Sequence, residues 1–143
     1  MKYRKDKYGN DISVLGFGCM RFPKKGTKLD YVKTEQQIMA AYRAGVNYFD
    51  TAYIYPGSEE MLGLILDNNG IRNDIKIATK LPHHQVKKTT DFDKFFNEQL
   101  ARLKTDHVDY YLMHMINLQL RYCRLNNTEY SPPLQIFPGQ QLS

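Results

Sequence analysis

The chain has little cysteine and no long hydrophobic run, and each shortage excludes a class of protein. Its two cysteines, Cys19 and Cys123, are far apart and form no CxxC pair, so we expect neither a disulfide framework nor a zinc site. His83, His84 and His107 lack the spacing of metal ligands, and no metal is expected there. No stretch reaches the roughly 18 apolar residues of a membrane-spanning helix, and no apolar segment follows the basic start. We therefore expect a cytoplasmic protein with no membrane segment.

Acidic residues are in slight deficit, which leaves a net charge of +5 on 143 residues. The excess cations are scattered over several loops and form no basic stripe with interleaved aromatic residues, so a nucleic-acid partner is not expected. A hydrophobic content of 42% is typical of a globular protein, and the length suits a single domain.

Short apolar segments alternate along the chain with amphipathic ones. A hairpin is predicted around the turn Gly9-Asn10-Asp11, followed by a strand over 14–20. Three further strands are predicted at "VNYFDTA", "IKIATKL" and "VDYYLMHM".

Three helices are predicted between these strands. The first begins with the capping-box spacing of Thr34 and Gln37 and ends at Gly45, and the second opens at Ser58 and ends near Gly70. The third begins around Thr90 and Asp93 and carries its apolar residues on one face: Phe92, Phe95, Phe96, Leu100 and Leu103.

This alternation indicates parallel strands with helices packed outside them. Two architectures fit the pattern: an open doubly wound sheet, or part of an eight-stranded α/β barrel. The dinucleotide fingerprint of the open sheet needs a third glycine. The segment "LGFGCMRF" supplies only Gly16 and Gly18, so it is a weak signal.

Polar, titratable residues stand at the carboxyl ends of three consecutive strands, where sites form in parallel α/β folds. They are Asp50 with Tyr55, Lys80 and His114. Each also has a structural explanation, as a turn cap, rim packing, an edge lysine and a core histidine respectively. Together they suit proton transfer, because a lysine ammonium beside a phenol favours the phenolate and lowers the phenol's pKa. An aspartate would hold the lysine, and a histidine would orient a substrate oxygen.

Four motifs resemble the aldo/keto reductase family: "LGFGCMR", "GVNYFDTAYIY", "IATKLP" and "EQLARLKTDHVDYYLMH". They occur in order over roughly the first 116 residues. The resemblance implies the N-terminal portion of a (β/α)8 TIM barrel, with an N-terminal β-hairpin and about four parallel strands. The sequence of these motifs is most similar to that of a bacterial subgroup that often carries an iron–sulfur, ferredoxin-like extension. This chain has no cysteine cluster for such an extension.

The resemblance also implies an activity, which is NADPH-dependent reduction of a small carbonyl substrate. Its catalytic tetrad maps onto Asp50, Tyr55, Lys80 and His114, with Tyr55 protonating the carbonyl oxygen and Tyr53 as a competing phenol that could share its face. Gly18, Cys19 and Met20, together with Asp50, are implied to contact the cofactor. NADH remains an alternative to NADPH.

After Met115 the sequence departs from the family pattern, and we predict a partial barrel over 1–116 and an atypical, poorly ordered or loosely docked tail over 117–143. The only helix that the pattern indicates in this tail is a short one, roughly over 117–124. A truncated chain, through a shifted reading frame near Ile116, would explain this tail. Four strands leave sheet edges and apolar surface exposed, so we expect weak turnover and self-association through those edges. The alternative function is a non-catalytic fragment or binding module.

Overall fold

The computed structural model describes residues 1–115, which form a parallel sheet, three helices and two small hairpins. The helices are α1 (Tyr31–Arg43), α2 (Ser58–Asn68) and α3 (Thr90–Leu103). The strands are β1 (Tyr3–Lys5), β2 (Asp11–Ser13), β3 (Phe17–Gly18), β4 (Lys24–Lys25), β5 (Lys28–Leu29), β6 (Tyr48–Asp50), β7 (Lys76–Leu81) and β8 (Tyr110–Met113). The predicted tail, with its helix at 117–124 and Cys123, lies outside the described residues.

The main sheet has the order β3-β6-β7-β8, and every neighbouring pair is parallel. The strands thus lie in the sheet in the same order as they occur along the chain. The register places Gly18 beside Asp50, and Asp50 beside Ala78. All four carboxyl ends consequently lie at one edge of the sheet, as the alternation predicted.

The β1–β2 hairpin lies at the opposite, amino end of the strands. The Tyr110 hydroxyl donates to Oδ2 of Asp6 at 2.5 Å, and the Ser13 amide donates to Oδ1 of Asn47 at 2.8 Å. Both partners on the main sheet stand at or just before the first residue of a strand. The hairpin thus packs against the end of the sheet remote from the predicted site.

The apolar core lies between the sheet and the helices. Phe49 of β6 and Ile77 of β7 are fully buried on this face. The helices contribute buried side chains that pack against them: Ile38 of α1, Leu62, Ile65 and Leu66 of α2, and Leu103 of α3. Because side chains alternate across a strand, the neighbours of Phe49 and Ile77 in sequence point to the other, inner face of the sheet.

Two sequence-based expectations need correction, and one element is new. The strand predicted over 14–20 is only Phe17–Gly18, and it is followed by the β4–β5 hairpin, which was not predicted. Helix α1 begins at Tyr31, because the Asp30 side chain accepts from the Lys33 amide and caps it. Thr34 is inside the helix, where its hydroxyl donates to the Asp30 carbonyl at 2.7 Å, so the predicted start there is wrong.

No helix within residues 1–115 is long and apolar enough to cross a bilayer. The same part of the chain contains no group of three or more His, Cys, Asp or Glu residues placed to hold a metal ion.

Candidate active site

Lys80 and Asp50 form an ion pair at the carboxyl ends of two neighbouring strands. Lys80 Nζ lies 2.5 Å from Oδ1 of Asp50 and donates a second hydrogen bond to the Thr51 carbonyl at 2.7 Å. Asp50 is paired with Ala78 in the ladder, two residues before Lys80. Since residues two apart share a face, the two side chains meet on the inner face of the sheet. The lysine side chain is only 14% exposed, so its charge depends on these partners.

Tyr55 lies in the turn between β6 and α2, directly beside this ion pair. Its amide donates to the Ala52 carbonyl, and its own carbonyl accepts from the Ser58 amide, both at 3.0 Å. These bonds form a turn that places the phenol ring of Tyr55 near the carboxyl ends of β7 and β8. Lys80 Nζ is 5.2 Å from the ring centroid.

His114 follows β8 and completes the cluster. Its ring lies edge-on to that of Tyr55, with centroids 5.5 Å apart and planes at 87°. Burial lowers the pKa of His114, and the nearby Lys80 ammonium lowers it further, while Asp50 opposes the shift. The imidazole is therefore neutral at neutral pH. Its buried Nδ1 has no hydrogen-bond partner within residues 1–115, which is the kind of polar atom that a ligand or water satisfies.

Tyr53 does not share the face of Tyr55, which corrects the expectation that the two phenols could lie together. Its hydroxyl donates to Oε2 of Glu98 on α3 at 3.0 Å. Its ring packs edge-on against Phe95, and the Arg102 guanidinium lies 4.2 Å from the ring centroid. Burial, followed by the Glu98 interaction, raises the pKa of Tyr53. The structure thus places this phenol against the helix layer.

Gly18, at the end of β3, and the two residues after it, Cys19 and Met20, differ in their exposure to solvent. Gly18 and Met20 are exposed, whereas Cys19 is fully buried. The Cys19 amide donates to the Asp50 carbonyl at 2.8 Å, its carbonyl accepts from the Ser58 hydroxyl at 2.7 Å, and burial raises the pKa of its thiol. Its backbone groups are thus engaged within the protein, so Gly18 and Met20 are the accessible residues of this segment.

Sequence reasoning gave no functional role to three buried polar residues on the helix side of the sheet, behind the site. The sequence pattern indicates Ser58 and Glu59 only as the start of α2, and it assigns no role to Gln99. All three are buried. A glutamine in the middle of the buried face of an amphipathic helix was the available signal, because buried polar groups need partners.

Taken together, the chain is a parallel α/β protein with an Asp–Tyr–Lys–His cluster at the carboxyl ends of its strands. Comparison with known proteins agrees. The model of the aldo/keto reductase family matches residues 14–127. The chain belongs to the aldo/keto reductase family.

Its relatives are about three times as long as the matched part. The aldo-keto reductase str7 of Strobilurus tenacellus is 34% identical over 118 residues, which cover 74% of this chain and 34% of the relative. The aldehyde reductase YPR1 of Saccharomyces cerevisiae is 36% identical over 106 residues, which cover 74% of this chain and 31% of the relative. The chain thus spans about a third of the length of these curated relatives.

The fold agrees as well. A crystal structure of the aldo-keto reductase AKR2E5 complexed with NADPH superposes with a TM-score of 0.61 at 29% identity, over 78% of this chain and 35% of that one. The predicted fold class, the N-terminal portion of a (β/α)8 barrel, is confirmed.

Proposed function

We propose that this chain carries the acid–base site of a nicotinamide-dependent carbonyl reductase that acts on a small carbonyl substrate, in the cytoplasm. The observation that carries the proposal is the position of the Lys80 ammonium, 2.5 Å from the Asp50 carboxylate and 5.2 Å from the centre of the Tyr55 ring. A cation in this position stabilises the phenolate that remains when Tyr55 gives up its proton.

The strand end beside Asp50 offers an accessible position for a cofactor to approach. A Cβ atom added to Gly18 would meet no atom of residues 1–115 within 4 Å, so the backbone there, which pairs with Asp50 in the ladder, is open. Gly18, Met20 and Asp50 would hold the nicotinamide end of NADPH, with NADH as the alternative. The reduced nicotinamide supplies a hydride to the carbonyl carbon when it is bound. A relative of this family has been crystallised with NADPH, which supports the choice of cofactor.

The chain's own residues then manage the proton and the substrate oxygen. Tyr55 donates its hydroxyl proton to the carbonyl oxygen as that oxygen becomes an alkoxide, and solvent later returns the proton. Lys80 stabilises the transient phenolate, and Asp50 keeps Lys80 in place. His114, being neutral, donates a hydrogen bond from its ring N–H to the same oxygen and orients it.

We further propose that residues 1–143 by themselves bind NADPH weakly and reduce carbonyls slowly. The described part supplies a four-stranded sheet, whereas the barrel of the family closes with eight strands. The inner face of the site therefore has no opposite wall within residues 1–115. The alternative is a binding module without turnover, which the same open face supports.

The test compares two tyrosine variants that differ only in which phenol is lost. NADPH oxidation is followed by absorbance with nitrobenzaldehyde as the probe substrate, for the unaltered chain, Tyr55→Phe and Tyr53→Phe. We expect Tyr55→Phe to reduce kcat by about 100-fold or more, since it removes the general acid. Tyr53→Phe keeps that acid, and its kcat should stay within a few-fold of the unaltered chain.

The outcomes separate the two candidates. Calorimetric titration with NADPH measures binding in the same samples. Binding without any turnover would favour the binding module, and neither binding nor turnover would overturn the reductase proposal for this chain. Equal losses in the two variants would contradict the assignment of Tyr55.

A further inference from the structure

Glu59 is a carboxylate on the first turn of α2 with no solvent exposure. Its Oε1 accepts from the Thr79 hydroxyl at 2.6 Å and from the Gln99 amide at 2.7 Å. Its Oε2 lies 3.3 Å from Nη1 of Arg102 on α3. One side chain thus joins two helices to strand β7, immediately behind the site.

Gln99 extends this contact to the backbone of Lys80. Its Nε2 lies 2.9 Å from the Thr79 hydroxyl oxygen and 3.3 Å from the Lys80 carbonyl, and its Oε1 accepts from the Tyr111 hydroxyl at 2.7 Å. An amide nitrogen has two hydrogens, so the longer contact with Lys80 is the weaker one. The stronger hold on β7 is through Thr79, the residue before Lys80.

The hydrogen bonds to Thr79 act on the site because Thr79 and Lys80 lie on opposite faces of β7. Thr79 points to the helices and Lys80 to the inner face, because side chains alternate along a strand. Bonds to Thr79 fix the end of the strand from behind, while Asp50 and Thr51 hold the ammonium in front. A shift of the backbone at Thr79 would move Lys80 Nζ relative to Tyr55.

Packing alone does not explain a carboxylate here. Burial raises the pKa of Glu59, which reflects the penalty for removing its charge from water, and its hydrogen bonds and Arg102 offset that penalty in part. A buried ion pair can often be replaced by apolar residues of similar volume without loss of stability. The carboxylate therefore needs a reason other than stability, and its acceptor geometry at Thr79 and Gln99 provides one.

We propose that Glu59 is a positioning residue, which through Thr79 and Gln99 holds the end of β7 so that the Lys80 ammonium stays against Asp50 and Tyr55. Its effect on turnover rests on the proposed function. The position of Lys80 does not, and it can be measured without any reaction.

The experiment uses the full chain labelled with 13C at the ε-carbon of lysine, and the Lys80 resonance is assigned from its loss in Lys80→Arg. The test variant is Glu59→Gln, which places an amide NH2 against the Arg102 donors and so disrupts the network. Glu60→Gln is the matched control, because Glu60 is the next residue and also pairs with Arg102, at 3.4 Å, but is half exposed. Glu60 has no bond to Thr79 or Gln99 among those of residues 1–115.

We expect the Lys80 resonance to move toward that of exposed lysines in Glu59→Gln and to stay in place in Glu60→Gln. Where turnover is measurable, kcat should fall by about 10- to 100-fold in Glu59→Gln while KM changes little, because misplaced reacting groups slow chemistry rather than binding. Thr79→Val removes the same hydroxyl from a β-branched site, and it decides the matter if Glu59→Gln does not fold.

A folded Glu59→Gln or Thr79→Val protein with an unmoved Lys80 resonance would overturn the proposal, even if its melting temperature fell. A displaced resonance in a chain that never reduces a carbonyl would support the positioning role and count against the proposed reaction. The two ideas therefore fail by different measurements.

Discussion

Tyr53 and Tyr55 are two residues apart and chemically identical, yet the fold gives them opposite surroundings. The chain leaves strand geometry at Asp50, so the alternation of faces stops before it reaches either phenol. Tyr53 then turns to Glu98 and Arg102 on α3, and Tyr55 turns to Lys80 and His114. A period-two pattern does not extend through a turn, so periodicity alone did not separate the two phenols, and only the spacing of the family motif selected Tyr55.

The lowered pKa of His114 predicts a pH-dependent contribution to stability. The folded protein binds the imidazole proton less readily than the unfolded chain does, whose histidines titrate near about 6.5. The contribution is therefore fully present above that pH, and it is lost as the pH falls below it and through the lower pKa of the folded protein. We expect the difference in unfolding free energy between the unaltered chain and His114→Gln to shrink as the pH falls from about 8 to 5. Urea denaturation across this range measures it.

His107→Gln is the control for this pH series. The His107 ring is 42% exposed and lies beside Asp106, at the amino end of β8. Because the ring is exposed, its replacement should change the free energy of unfolding little. A His114→Gln difference that grows toward low pH would contradict the prediction.

Helices α2 and α3 approach each other closely at Gly63. A Cβ atom on this residue would lie 2.5 Å from the Leu103 carbonyl carbon and 2.6 Å from the Arg102 carbonyl oxygen. Both are backbone atoms, so no side-chain rotation relieves the clash. We expect Gly63→Ala to lower the free energy of unfolding by about 1–3 kcal/mol, the usual penalty for overpacking, as measured by urea denaturation.

Gly18→Ala is the matched control for this helix contact, because the Cβ added there meets no atom of the described part of the chain within 4 Å. It should leave stability within about 0.5 kcal/mol of the unaltered chain, as expected for a substitution that touches nothing. Equal stability of Gly63→Ala and the unaltered chain would show that the two helices can separate at this point without penalty.

The start of α1 illustrates how local patterns mislead about helix ends. Thr34 and Gln37 have capping-box spacing, but Asp30 also stands before an amphipathic segment and caps it one turn earlier. Tyr31, which then falls inside the helix, donates from its hydroxyl to Glu35 and packs against the core. Tertiary packing of this first turn decided between two acceptable caps.

In the whole molecule, the main core does not depend on closing a barrel, because it lies between the sheet and the helices. Phe49 and Ile77 are buried against α1, α2 and α3. The inner face of the sheet instead carries the site residues, and β3 and β8 are its outer strands. In residues 1–115 the helices thus cover one face of the sheet. The other face and the two edge strands are where the remaining strands of a full barrel would be added.

We propose that these outer strands allow two copies of the chain to associate. Leu112 on β8 is 40% exposed, and an edge strand offers backbone groups for pairing. We expect light scattering to report a mass that rises with concentration, and Leu112→Lys to suppress the rise because a charge on an edge strand opposes pairing.

Leu64→Lys is the control for the association test, since Leu64 is 37% exposed but lies on α2. It should associate as the unaltered chain does. A mass that stays monomeric at every concentration would refute association, and equal suppression by both variants would implicate general surface hydrophobicity instead of the strand edge.

The sequence by itself determined the order of strands and helices and the residues at the strand ends. Apolar periodicity and the residues that end helices and strands, Gly45, Gly70 and Pro82, are local properties of the sequence. The rules for parallel α/β connections then place the carboxyl ends of the strands at one edge of a sheet, where sites form. Only the tertiary structure decided that Tyr53 turns to Glu98 on α3, and that Glu59 and Gln99 meet behind Lys80. Those choices depend on contacts between residues 20 to 45 positions apart, and nothing local in the sequence specifies such contacts.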